Sequence, residues 1–191
     1  MEIYRTSILD MKKLIFPLLL IAAILERTLF DLGPNFEFVT TALILSAFYL
    51  GKKQSFLLTF LILLISDVII GNTNIFIFTW SGFLIPVLFA SDIFKKIKLN
   101  KILLGTGLGI SSNIFFYLWT NFGVWLLDSW GMYPNTMQGL MQSYINGLPF
   151  LKYQIVSTLF ILPVTFIIFE VAKKIFFFLN SKKISSVCIR E

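Results

Sequence analysis

The stretch 101-KILLGTGLGISSNIFFYLWTNFGVWLL-127 decides how the rest of this chain is read. From Ile102 to Leu127 it carries no charged side chain, and it exceeds the roughly 20 residues a helix needs to cross a hydrocarbon core of about 30 Å. Its two halves differ. The first is small: Gly105 and Gly109 form a GxxxG, with Gly107 and Ser111 one step round. Such spacing lets helices approach closely, more commonly within one chain than between partners. The second half holds Tyr117, Trp119, Thr120, Asn121 and Trp125. A carboxamide where a helix should still be in lipid is inexpensive only in a wet hollow or against a neighbouring helix. Gly123, just after Phe122, leaves room there for another backbone or a ligand.

Working outward, the whole chain shares this character. Hydrophobic residues make up 57% of the 191 and charged residues 14%, against about 25% charged in soluble domains. The expected fold class is an all-α integral membrane protein, a compact bundle of about six transmembrane helices in a single domain over 1–191. A net charge of +6 could suggest nucleic acid, but the basic residues fall in short clusters between apolar runs. That pattern signals topology, and no nucleic-acid partner is expected. There is no His and a single Cys, Cys188. A disulfide framework is excluded, and so is a metal site built from His and Cys. No cofactor or metal is expected. The opening Lys12-Lys13 and 14-LIFPLLLIAAIL-25 resemble a signal peptide. With no small-x-small cleavage site before Glu26-Arg27, the segment reads as a retained first helix.

Spans are expected near 13–30, 37–51, 55–71, 75–93, 102–127 and 152–178. The second is weakest, because its apolar core 42-ALILSAFYL-50 is short; it must tilt little, thin the bilayer or be shielded by neighbours. Six spans put Arg5, Lys12 and Lys13, then Lys52 and Lys53, then Lys95, Lys96, Lys98 and Lys101 on one side. The tail adds Lys173, Lys174, Lys182, Lys183 and Arg190 to that side. Only Arg27 and Lys152 of the 16 basic residues remain opposite. By the positive-inside rule both termini are expected to face the cytoplasm. An odd span count would destroy the asymmetry.

That topology gives each polar residue a depth. Asp67 lies in the outer third of the third span, level with Asn72, Asn74 and Trp80 at the start of the fourth. Tyr117, Thr120, Asn121 and Trp125 fall in the outer half of the fifth. Lys152, Gln154, Ser157 and Thr158 begin the sixth, and Glu26 and Arg27 close the first. Intramembrane ionisable residues generally face a bundle interior or a wet cavity. The expected substrate-binding set is therefore Asp67, Trp80, Asn121, Trp125, Arg27, Asn35, Tyr117 and Gln154, around an outward-facing pocket. Plainer roles stand beside these. Trp119, Trp125 and Trp130 suit interfacial anchors, Glu26 and Arg27 can snorkel at a helix end, and Asp67 can form a structural pair with Arg27 or Lys152. Outer loops are unequal: 31-DLGPNFEF-38 carries Asn35 and two carboxylates. In the longer 128–151, Leu140, Met141, Tyr144 and Leu148 recur at helical spacing, as in a short interfacial helix or lid.

Three stretches, 33-GPNFEFVTTALILSAFYLGKK-53, 116-FYLWTNFGVWL-126 and 132-MYPNTMQGLMQSYINGLPF-150, carry a resemblance. The chain resembles a bacterial family of small six-span membrane proteins of unknown function described as transport proteins. That family in turn is similar to the substrate-capture (S) components of energy-coupling-factor transporters. The resemblance implies a compact six-helix fold that binds a small solute from outside, with gating loops after the first, third and fifth spans. It also implies a membrane coupling protein and a pair of ATPases as partners. Ser66-Asp67 agrees with the family pattern. After its Leu148-Pro149-Phe150 turn the family has Asn-Thr and a Gly-Asp pair, where this chain has 152-KYQIVST-158; a different ligand is one consequence.

The expected function is thus a substrate-binding transport subunit, contacting lipid and a small polar, vitamin-like solute. Its energy must come from elsewhere, because no G-x-x-x-x-G-K-[ST] loop occurs. The alternative is a non-transporting scaffold or envelope assembly factor. An enzyme is disfavoured: Ser66 stands beside Asp67, but the chain has no His, and only carboxylates and Lys152 could act as base.

Overall fold

The structure, a computed structural model, describes residues 2–30, 37–71, 74–128 and 131–188, with side chains described between 13 and 178. Among these residues there are six helices and no strand: α1 (Glu2–Thr28), α2 (Val39–Tyr49), α3 (Lys52–Ile70), α4 (Phe76–Lys96), α5 (Lys101–Leu127) and α6 (Met137–Cys188). Five of the apolar segments read from the sequence coincide with one helix each. Four helices, α3, α4, α5 and α6 as far as Phe178, are long and apolar enough to cross a membrane, and α2 is apolar but shorter.

Successive helices run in opposite directions, as contacts at their ends show. Arg27, ending α1, meets Asp67 near the end of α3 and Trp80 near the start of α4 meets the same carboxylate. At the other end Lys52, opening α3, pairs with Asp92 late in α4. Lys101, opening α5, pairs with Glu170 late in α6. Further along the α5–α6 pair, Gly105 faces Phe166, Gly109 faces Thr158 and Leu162, and Asn121 faces Gly147.

α2 is the centre of the bundle. It touches each of the other five helices, and every residue from Val39 to Ala47 is buried. A helix apolar on all sides has no face to offer water and ends up enclosed. The sequence 39-VTTALILSAFY-49 has only small hydroxyls as polar groups before Tyr49. Eleven residues extend about 16 Å, roughly half a hydrocarbon core. The weak second segment is therefore shielded by its neighbours, one of the accommodations its length demanded.

Both ends of α2 are tied down. At the C-terminal end the Tyr49 hydroxyl donates to Glu170 Oε1 (2.7 Å), which also receives Lys101 Nζ (2.6 Å). Phe48 packs edge-on against Phe94 and Phe166 there. At the N-terminal end the Phe38 N–H donates to Glu26 Oε2 (3.1 Å), satisfying one of the orphan donors of a helix start. The turn into α3 needs Gly51, whose φ of 85° and ψ of 173° lie in a region essentially restricted to glycine. α5 starts at Asn100 because its side-chain oxygen caps the Ile102 and Leu103 N–H groups.

α6 corrects one expectation. The separate lid helix around 140–148 and the span over 152–178 are a single helix of 52 residues, about 78 Å long. Pro149 lies inside it with Pro163. Proline removes a helical hydrogen bond, and neighbouring helices can re-satisfy the freed groups. One residue before the Ile145 carbonyl that Pro149 leaves without its helical donor, the Tyr144 carbonyl accepts from the Tyr117 hydroxyl of α5 at 2.7 Å.

Candidate functional site

One face of α5 sets up the site. Its buried residues are Gly105, Gly109, Ser112, Asn113, Tyr117, Thr120 and Gly123, three or four apart except for the adjacent Ser112 and Asn113, and so one helical stripe. Along its first half the stripe is glycine, which admits the bundle centre. A Cβ on Gly105 would lie 2.7 Å from Phe166 and 3.4 Å from Ile44 of α2, and one on Gly109 2.7 Å from Thr158. The GxxxG thus serves intramolecular packing. From Asn113 onward the stripe turns polar, and that is where α2 stops.

Asn113 closes the floor. Thr40 Oγ1, in the first turn of α2, donates to Asn113 Oδ1 (3.0 Å). Asn113 Nδ2 donates to Thr158 Oγ1 (2.8 Å) and the Gln154 carbonyl (3.0 Å) of α6. Beside it Gln154 Nε2 donates to Glu37 Oε1 at 3.0 Å. Buried polar groups are tolerated only when satisfied, and Asn113 uses both ends of its amide to join three helices.

Above this floor a cavity of about 320 Å³ occupies the half of the bundle that α2 does not fill. Its polar lining is Arg27, Glu37, Thr79, Tyr117, Thr120, Asn121 and Gln154; Phe83, Phe116, Val124 and Phe150 supply apolar wall. Small-molecule sites typically run from about 300 to 1,000 Å³, apolar with a few placed polar groups. This one lies at the small end. A second space of about 330 Å³ between α4 and α5 has an apolar lining apart from Ser111 and Ser112, whose hydroxyls donate to carbonyls of their own helix.

The expected site residues divide into two groups. Arg27, Tyr117, Asn121 and Gln154 line the cavity together. Asp67 and Trp80 do not; they stand behind Arg27. Arg27 Nη2 donates to Asp67 Oδ1 (2.7 Å), and Trp80 Nε1 donates to Asp67 Oδ2 (2.6 Å). Asp67 thus takes the structural pairing with Arg27, positioning the guanidinium at the cavity wall. Trp80 is fixed edge-on between Phe60 and Phe76. Trp125 is also elsewhere: its indole N–H lies 3.1 Å from the carbonyls of Pro134 and Thr136, tacking the loop before α6. Trp119 donates to Ser81 Oγ (2.7 Å) and stacks on Phe115. Asn35, Asn72 and Trp130 lie outside the described residues.

Asn121 answers the puzzle of a carboxamide at this depth. Its Nδ2 donates to the Tyr117 carbonyl one turn back (2.8 Å). The amide lies against Gly147 of α6, where a Cβ would come within 2.5 Å of Oδ1. The glycine that makes room is Gly147; Gly123 instead receives the ring of Phe78. Ser66 is buried with its hydroxyl donated to the Leu63 carbonyl (3.3 Å).

Sequence reading missed Asn113 and Thr40 and did not single out Glu37 from its loop. The four-residue spacing of Asn113, Tyr117 and Asn121 in an uncharged segment is a usable signal for the first. Among the described residues, no group of three His, Cys, Asp or Glu is placed to hold a metal ion.

A family model matches residues 9–182, nearly the whole chain; its description is a family of unknown function, DUF6580. The chain belongs to that family. No curated protein and no solved structure matches it.

Proposed function

We propose that this chain is a membrane-embedded binding protein that captures a small solute from the outer side of a bacterial inner membrane, as the substrate-binding subunit of an uptake system. The observation that carries this reading is the 320 Å³ cavity over the N-terminal end of α2, with polar groups from α1, α5 and α6 converging on it. Exposed apolar side chains such as Leu18, Val68, Leu103 and Phe160 on the bundle's flanks suit a lipid surround. With six passes and the basic residues gathered on one side, the cavity end faces outward. The resemblance to S components supports a separate energising partner, a coupling protein with ATPases.

One observation favours the scaffold alternative: Asp67 accepts from both Arg27 and Trp80 and so holds α1, α3 and α4 together. The two readings separate in a thermal-unfolding screen of purified full chain against vitamins, nucleosides and amino acids. Specific stabilisation by one compound class, lost on Asn121→Leu in a variant that still folds, is the expected result. A flat response across the panel supports the scaffold instead.

A further inference from the structure

Several hydroxyl and amide protons of the cavity wall are already committed. Tyr117 has its hydroxyl proton on the Tyr144 carbonyl, Thr120 on the Phe116 carbonyl, and Asn121 its Nδ2 on the Tyr117 carbonyl. Gln154 has donated to Glu37 Oε1. These side chains still offer lone pairs on their phenolic, hydroxyl and amide oxygens and a second N–H on each of Asn121 and Gln154, and beside them stands Glu37 Oε2, which accepts no hydrogen bond from the described residues.

Two features could attract an anion, and each already faces a carboxylate of the chain, although Arg27 Nε is buried without a hydrogen-bond partner among the described residues. Arg27 is held at 2.7 Å by the Asp67 carboxylate. The positive end of the α2 dipole faces Glu37, and Glu26 takes the Phe38 N–H beside it. Lys152, the other basic residue near this end, is exposed and does not line the cavity. Setting Arg27 against Asp67 leaves the Glu37 carboxylate as the unmatched charge on the lining. A buried carboxylate is costly until a cation and hydrogen-bond donors reach it.

We propose, resting on the binding-site reading above, that the solute carries a protonated amine or amino-substituted nitrogen ring, with its N–H groups on Glu37 Oε2 and the Thr120 and Tyr117 oxygens. Its apolar body lies against Phe83 and Phe116, whose rings pack 4.4 Å apart, and against Phe150. A cationic group facing these rings also gains from their π-faces.

The test uses the full chain in detergent and matched ring compounds: benzylamine, benzyl alcohol and benzoate, with two larger homologous sets. The amines are expected to raise the unfolding midpoint by about 2–4 °C at concentrations well above half-saturation, with alcohols and carboxylates inactive. Glu37→Gln, which keeps the acceptor for Gln154, is expected to unfold near the parent temperature and lose the amine response. A response to carboxylates or alcohols equal to that of the amines overturns the amine assignment while leaving a binding site. An amine response that survives Glu37→Gln also overturns it. Silence of all three classes overturns the binding-site reading itself.

Discussion

Thr40 on α2 and Asn113 on α5 are joined by a hydrogen bond of 3.0 Å at the level where the central helix ends. Below it the bundle is filled by α2; above it is open. The bond marks the boundary between a solid half and a hollow half, and the same Asn113 reaches α6 through Thr158 and the Gln154 carbonyl.

Asn113→Ala removes partners from all three groups in a site only 1% exposed. Leaving buried polar groups unsatisfied costs about 1–3 kcal/mol each time. The unfolding midpoint in detergent is expected to fall by about 5–10 °C. A change within about 1 °C would show that the three-helix junction is not made.

The Arg27–Asp67 pair is mostly shielded, with side-chain exposures of 17% and 7%. Removing one partner of such a pair costs more than removing both. Asp67→Ala is expected to destabilise by about 2–4 kcal/mol, with Arg27→Met on the same background restoring part of it. Strict additivity of the two substitutions contradicts the pairing.

Glycines of the α5 stripe separate by environment. Gly105→Ala places a methyl 2.7 Å from the ring of Phe166, which is fully buried, and overpacking of this kind costs about 1–3 kcal/mol. Gly107→Ala meets nothing within 4 Å and should be neutral or stabilising by up to about 1 kcal/mol. Equal thermal shifts for the two rule out the packing of α5 against α2 and α6.

Gly147→Ala probes the cavity rather than the fold. The added methyl comes within 2.5 Å of the Asn121 amide, a side-chain end that can swing aside at the expense of its bond to the Tyr117 carbonyl. Stability should change little, while any ligand-induced stabilisation should fall by at least about half. A normal ligand response in this variant removes Asn121 from the site.

Much of the helix layout was legible because apolar runs and lysine clusters alternate along the chain. The short core 42-ALILSAFYL-50 already left shielding by neighbours as one of three accommodations. Its central position was not legible, since nothing local distinguishes a helix shielded by five neighbours from one shielded by two. Asp67 drew attention as a lone acid in an apolar segment, but its partner was open between Arg27 and Lys152 until the end of α1 was placed beside α3. Glu37 read as a loop carboxylate because only tertiary structure folds that loop end into the cavity. Gly147 and Pro149 are breakers by local chemistry, and packing against α5 overrides them in the 52-residue α6.

The proposal that the cavity opens outward is tested most directly by cysteine accessibility in cells, on a Cys188→Ser background. Thr120→Cys replaces a cavity-lining hydroxyl, and Leu118→Cys, 47% exposed on the bundle's flank, serves as the lipid-side control. A membrane-impermeant maleimide added from outside should label position 120 and spare position 118. Labelling of position 120 only from the cytoplasmic side, or only after denaturation, contradicts an outward-facing cavity above α2.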